Sequence, residues 1–160
     1  MRKTIGTSVA ALAAMLAFAA LAGAVEEPTR ESYLAQVEPI CKVNRSANER
    51  IMAGSKQRVN TGELAPAGRQ FIRVSESFGM LIKQLAVVPP PAADSHRIER
   101  WLESMRLLEV RLRLVGKYFK AGERIKATHE SILAERAGLS ANNTSIVFHF
   151  RYCRFGHIGG

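Results

Sequence analysis

The segment IERWLESMRLLEVRLRLVGKYF, residues 98–119, decides how the chain folds. In it Ile98, Trp101, Met105, Leu108, Leu112, Val115 and Phe119 recur at alternating spacings of three and four, which sets them along one side of an α-helix. At a rise of ~1.5 Å per residue the helix is about 33 Å long. A helix gains most of its stability in a protein from packing its apolar face, so a stripe of this length demands partners elsewhere in the chain.

Those partners are found on both sides. Before the segment, Phe71, Val74, Phe78, Leu81, Ile82 and Leu85 form a second stripe, with Pro66 suited to a first turn and Arg69, Arg73, Glu76 and Lys83 on the outer face. Three prolines, Pro89 to Pro91, end that helix and favour an extended link. Asp94 or Ser95 is placed to cap the next helix, and Ala121 and Gly122 to end it.

Nearer the start, Thr29 is placed to cap a short turn through Tyr33, Leu34 and Val37. Pro39 predicts an interruption there, with a new or kinked helix from Glu38 to about Val59 and a stop at Asn60, Thr61 and Gly62. Ile40, Cys41, Asn44, Ala47, Asn48 and Ile51 share its inner face. Beyond the central segment, Ile125, His129, Ile132 and Leu133 begin a last helix, with a bend or break expected at Gly138 and Ser140.

Residues Ser145 to Tyr152 read two ways. Ile146, Phe148, Phe150 and Tyr152 alternate as in a strand, whereas a helix groups Ile146, Val147, Phe150 and Cys153. A lone strand leaves its backbone groups unpaired and no second strand is evident, which favours helix. The prediction is an all-α, up-and-down bundle of about four main helices, near residues 38–59, 66–86, 94–120 and 123–152.

The first residues concern address rather than fold. Arg2 and Lys3 precede an uncharged run rich in Ala and Leu, followed by Ala22, Gly23 and Ala24, the pattern of a signal peptide cleaved after Ala24. The competing reading is a retained membrane anchor, since the apolar run from Ile5 to Ala24 is just long enough to span a bilayer. The expected organisation is a signal peptide over 1–24, one helical domain over 25–153 and a flexible tail over 154–160, and the expected location is the cell envelope or the exterior.

The chain carries a formal charge of +9, which loss of Arg2 and Lys3 lowers to +7. Such a balance favours anionic partners, among them envelope components and acidic proteins. Aromatic residues do not interleave with the basic ones as in a single-strand nucleic-acid groove. Arg106, Arg113, Lys117, Lys120 and Arg124 form a candidate anion-binding strip on the back of the central helix. Glu103 and Glu109 stand at ion-pair spacing from its arginines, which equally describes a solvated face.

The two cysteines, Cys41 and Cys153, lie near opposite ends of the exported chain and are read as a disulfide. In the chain-entropy model a closure of that length contributes on the order of 4 to 5 kcal/mol. The competing chemistry is a metal site of His149, Cys153 and His157, spaced four apart, with Cys41 as a fourth ligand. His129 and Glu130 do not begin a zinc-protease motif, because position 133 is leucine. No cofactor signature was found. Asn44 and Asn48, one turn apart, and the pair Asn142 and Asn143 are expected to meet inside the bundle if the disulfide aligns their helices; such a cluster fixes register or binds a ligand.

Ile40-Cys41-Lys42 followed by Asn44 and Asn48, the prolines before Ala92-Ala93-Asp94, and the ending Tyr152-Cys153-Arg154-Phe155 together resemble a set of small exported bacterial all-helical proteins of unassigned function. The resemblance implies the same disulfide-closed helical fold and carries no activity. The sequence thus points to a non-enzymatic binding module using its basic surface or an inter-helix groove. A small helical enzyme acting on an anionic metabolite is the alternative, and it requires several Arg or Lys side chains to converge in one pocket.

Overall fold

A computed structural model of the protein describes residues 27–155. The stretch read as a signal peptide with cleavage after Ala24, together with His157 and most of the predicted tail, lies outside the described residues. Four long helices, α1 (Arg30–Met52), α3 (Leu64–Ala86), α4 (Ser95–Lys120) and α5 (Arg124–Val147), pack up and down; a short helix α2 (Ser55–Asn60) and a 3-10 turn (Ala92–Asp94) join them. No helix among the described residues is long and apolar enough to cross a membrane.

The central stripe behaves as its spacing requires. All seven residues from Ile98 to Phe119 are buried, as are the six of the α3 stripe. α3 and α5 flank α4, and α1 lies against α3. Two glycines set the α3–α4 distance: a Cβ on Gly68 would lie 2.6 Å from the Gly116 carbonyl oxygen, and one on Gly116 would lie 2.7 Å from that of Gly68. α5 packs on α4 through a different device, burying Ala127, Ala134, Ala137, Gly138, Ala141 and Ser145 while Ile125 and Ile132 face solvent. Gly138 brings no break; α5 continues through it, and a Cβ there would stand 3.9 Å from Leu108 of α4, an ordinary contact.

Three predicted boundaries shift, each for a local reason. α1 starts at Arg30 on a reciprocal capping box, in which Thr29 Oγ1 accepts from the Ser32 N–H and Ser32 Oγ accepts from the Thr29 N–H. It then continues unbroken through Pro39, which sits on the solvent face together with Ala35, so the carbonyl released by the missing N–H faces water. The helix ends instead at Met52, where Gly54 takes a left-handed conformation (φ 73°) and α2 begins.

The last helix ends at Val147, short of Tyr152. His149 adopts φ 56°, and the Phe150 N–H donates to the Ser145 carbonyl while the His149 N–H donates to that of Ile146. These are the two bonds of a Schellman termination, with histidine in the place usually held by glycine. Among the described residues beyond it, 150–155 form neither helix nor strand. They fold back across α1, burying Phe148 and Phe150 against Trp101 and Tyr33.

Asp94 and Ser95 do not cap α4 by their side chains. The Asp94 carboxylate instead takes both nitrogens of Arg30, Nε at 2.5 Å and Nη2 at 2.7 Å, tying the starts of α1 and α4 together. Hydrogen bonding from Arg30 holds the Asp94 carboxyl below its ordinary range, against an opposing effect of burial. Burial pushes the Tyr33 phenol up to about 12, and its hydroxyl has no partner.

Candidate binding site

α1 lies on α3 and makes little contact with α4 or α5, so the fourth side of the bundle needs another occupant. Over the first half of α1 that occupant is the returning segment after α5. Cys41 and Cys153 are joined as a disulfide, the Glu38 carboxylate accepts the N–H groups of Arg151 (2.5 Å) and Tyr152 (2.8 Å), and Ser145 Oγ donates to the Cys153 carbonyl (2.9 Å). Asn142 fixes the end of the segment, bonding both the N–H and the carbonyl of Phe155. We refer to Phe148–Phe155 as the strap.

Over the second half of α1 none of the described residues fills the gap, and they leave a cavity of about 500 Å³. Its walls are hydrocarbon: Val74, Phe78 and Leu81 from α3, Leu108 and Leu112 from α4, Met52 from α1, and Phe155 of the strap, whose ring lies 5.2 Å from that of Phe78. Arg45, Lys56 and Arg154 stand on its rim with a single carboxylate, Glu49, which pairs with Arg45. The combination of apolar walls and a few polar groups in a volume of this order is that of a small-molecule site.

The polar edge is organised by two of the predicted asparagines. Asn44 Nδ2 donates to the carbonyl (3.0 Å) and hydroxyl (2.9 Å) of Ser77, tying α1 to α3. Asn48 Nδ2 donates to Asn44 Oδ1 at 2.8 Å, which leaves Asn48 Oδ1 buried with no acceptor role filled. An unpaired buried amide oxygen costs about 1 to 3 kcal/mol, and a donor on a ligand removes that cost.

The expected cluster of four asparagines does not form. Asn142 is committed to Phe155, and Asn143 is exposed on the opposite face near Arg97, Arg100 and Val147. The physical reason is the end of α5 at Val147: the strap, not the helix itself, runs beside α1, so helical spacing from Cys153 back to Asn142 does not apply. Asn44 and Asn48 line the cavity, whereas Asn142 bears on it only by holding Phe155 and Asn143 does not reach it.

The other predicted sites are spread out. Arg106, Arg113, Lys117, Lys120 and Arg124 are all exposed, with Arg113 paired to Glu109 and Arg124 donating to the Val59 carbonyl at 2.6 Å. Only Arg106 of the five borders a described cavity, so they form no convergent anion pocket. His149 and Cys153 do not assemble a metal site: Cys153 is bonded to Cys41, and His149 is exposed at the α5 terminus. No group of metal-ligating side chains occurs among the described residues.

Sequence periodicity found the cavity's α3 and α4 walls only as core, because an apolar stripe does not show where its partner is missing. The signal that was present is the pair of polar residues on α1's inner face, Asn44 and Asn48, opposite two strongly apolar stripes. No protein family matches the chain, and neither does any curated protein or solved structure compared with it.

Proposed function

We propose that the protein is a non-enzymatic binding module of the cell envelope or exterior, and that it holds an anionic amphiphile in the cavity between α1, α3, α4 and the strap. The observation that carries this reading is the pairing of a hydrocarbon interior of about 500 Å³ with a rim on which Arg45, Lys56 and Arg154 outnumber Glu49. A hydrocarbon chain removes the apolar walls from water at ~25 cal/mol per Å². Its acidic head stays at the rim, where the charges of Arg45, Lys56 and Arg154 are of opposite sign. The disulfide and the N-terminal sequence are consistent with export, since such bonds persist in oxidising compartments.

Calorimetric titration with laurate, using dodecanol as the uncharged counterpart, tests the reading. Saturable binding of laurate is expected, weaker binding of dodecanol, and loss of at least about tenfold in laurate affinity when Val74→Phe fills the cavity, a change the empty volume accommodates. Equal affinity in the filled variant, or no binding of laurate, contradicts it.

A further inference from the structure

On the other side of the last turns of α1, an open cleft of about 690 Å³ runs between α1, α2 and α3. Four arginines from three elements border it: Arg50 of α1, Arg58 of α2, and Arg69 and Arg73 of α3. Among the described residues no Asp or Glu lines the cleft, and none of their ion pairs uses any of the four.

One of the guanidinium groups is held in place. Gln70 Nε2 donates to the carbonyls of Ile51 (2.7 Å) and Ala53 (2.9 Å), closing the end of α1, and its Oε1 accepts from Arg58 Nη1 at 3.1 Å. Arg58 Nη1 also donates to the Ala53 carbonyl at 3.2 Å. The other nitrogens of Arg58 have no protein acceptor among the described residues and remain available to a ligand.

Favourable placement at a helix terminus accounts for Arg50 and Arg58, which lie in the last turns of α1 and α2. It does not account for Arg69 and Arg73, which belong to the first half of α3, nor for gathering four cations without a counter-charge. Like charges at close range repel unless an anion sits among them. The guanidinium fork matches a phosphate geometrically, and several forks around one cleft suit a multiply charged tetrahedral oxyanion better than a single carboxylate.

We propose that this cleft is a binding site for a phosphate-type oxyanion, presented as a soluble phosphate or as a phospholipid headgroup. The site is distinct from the apolar cavity, which lies across α1 from it, and does not depend on what that cavity binds.

The test measures pyrophosphate binding by calorimetry and capture on phosphatidylglycerol vesicles, with phosphatidylcholine vesicles as the neutral counterpart. Wild-type protein is compared with R69Q/R73Q and with R106Q/R113Q, a pair of equal charge change outside the cleft. Loss of about tenfold or more in R69Q/R73Q, with R106Q/R113Q unchanged, is the expected result. Selective loss in the pyrophosphate arm alone identifies a soluble ligand; selective loss in capture on phosphatidylglycerol identifies a headgroup. No binding in either arm, or equal loss in both double variants, overturns the proposal, the latter because it reports bulk charge rather than a site.

Discussion

Asn142 holds Phe155 by both ends of its amide: Nδ2 donates to the Phe155 carbonyl and Oδ1 accepts the Phe155 N–H, each at 2.8 Å. Asn142→Ala removes both bonds and is expected to cost about 1 to 3 kcal/mol, measured by urea denaturation. Because Phe155 forms one wall of the cavity, laurate affinity should fall as well, and the Phe155 amide should exchange its hydrogen faster.

The α3–α4 crossing has no room for a methyl group. Gly116→Ala would place a carbon 2.7 Å from the Gly68 carbonyl oxygen and 2.8 Å from the Ile72 nitrogen, both backbone atoms that cannot rotate away. A loss of at least about 1 to 3 kcal/mol is expected in denaturation, and Gly68→Ala should behave alike. Gly79→Ala, with nothing near its Cβ, serves as the tolerated control.

Tyr33 makes stability depend on alkaline pH. Its phenol ionises near 10 in the unfolded chain and at about 12 in the folded protein. Between those values the unfolded state alone releases the proton, so stability is full below pH 10 and falls as pH rises toward 12. Tyr33→Phe should abolish that dependence and leave neutral-pH stability unchanged or raised by up to about 1 kcal/mol, since the hydroxyl is unpartnered.

Asp94 acts at the acid end. Arg30 holds its folded-state carboxyl below the ordinary 3.8, so the pair contributes above that pH and the contribution is lost as pH falls through the folded-state value. Denaturation midpoints of Arg30→Gln and wild type should differ at neutral pH and converge in acid.

The Cys41–Cys153 bond anchors the strap two residues before its end at Phe155, and the cysteines it joins are 112 positions apart in sequence. Replacing both cysteines with serine should lower stability by up to about 4 to 5 kcal/mol. Alkylation of the purified protein should label no thiol until it has been reduced, and then two. Thiols reactive without reduction would contradict the closed strap.

The parts of the fold legible in the sequence are those where a large apolar side chain marks each buried position. Leu108 and Leu112 in α4 and Phe71 and Phe78 in α3 declare their faces by size and spacing alone. α5 does not, because close packing selects Ala134, Ala137 and Ala141 for the buried face and leaves Ile132 outside, reversing the apparent polarity of the helix. The end of α5 escaped for a related reason: histidine rather than glycine occupies the left-handed position, and nothing at Val147 announces a stop. Asn44 and Asn48 were legible as a pair, while the arginine cleft was not, since its four members come from three elements.

The most direct test of the binding reading is methyl NMR of leucine- and valine-labelled protein titrated with laurate. Shifts confined to Val74, Leu81, Leu108 and Leu112, with the deeply buried Leu85 and Val115 unmoved, are the predicted result. Shifts centred instead on the exposed Leu107, Val110 and Leu139, or no shifts at saturating laurate, would contradict it.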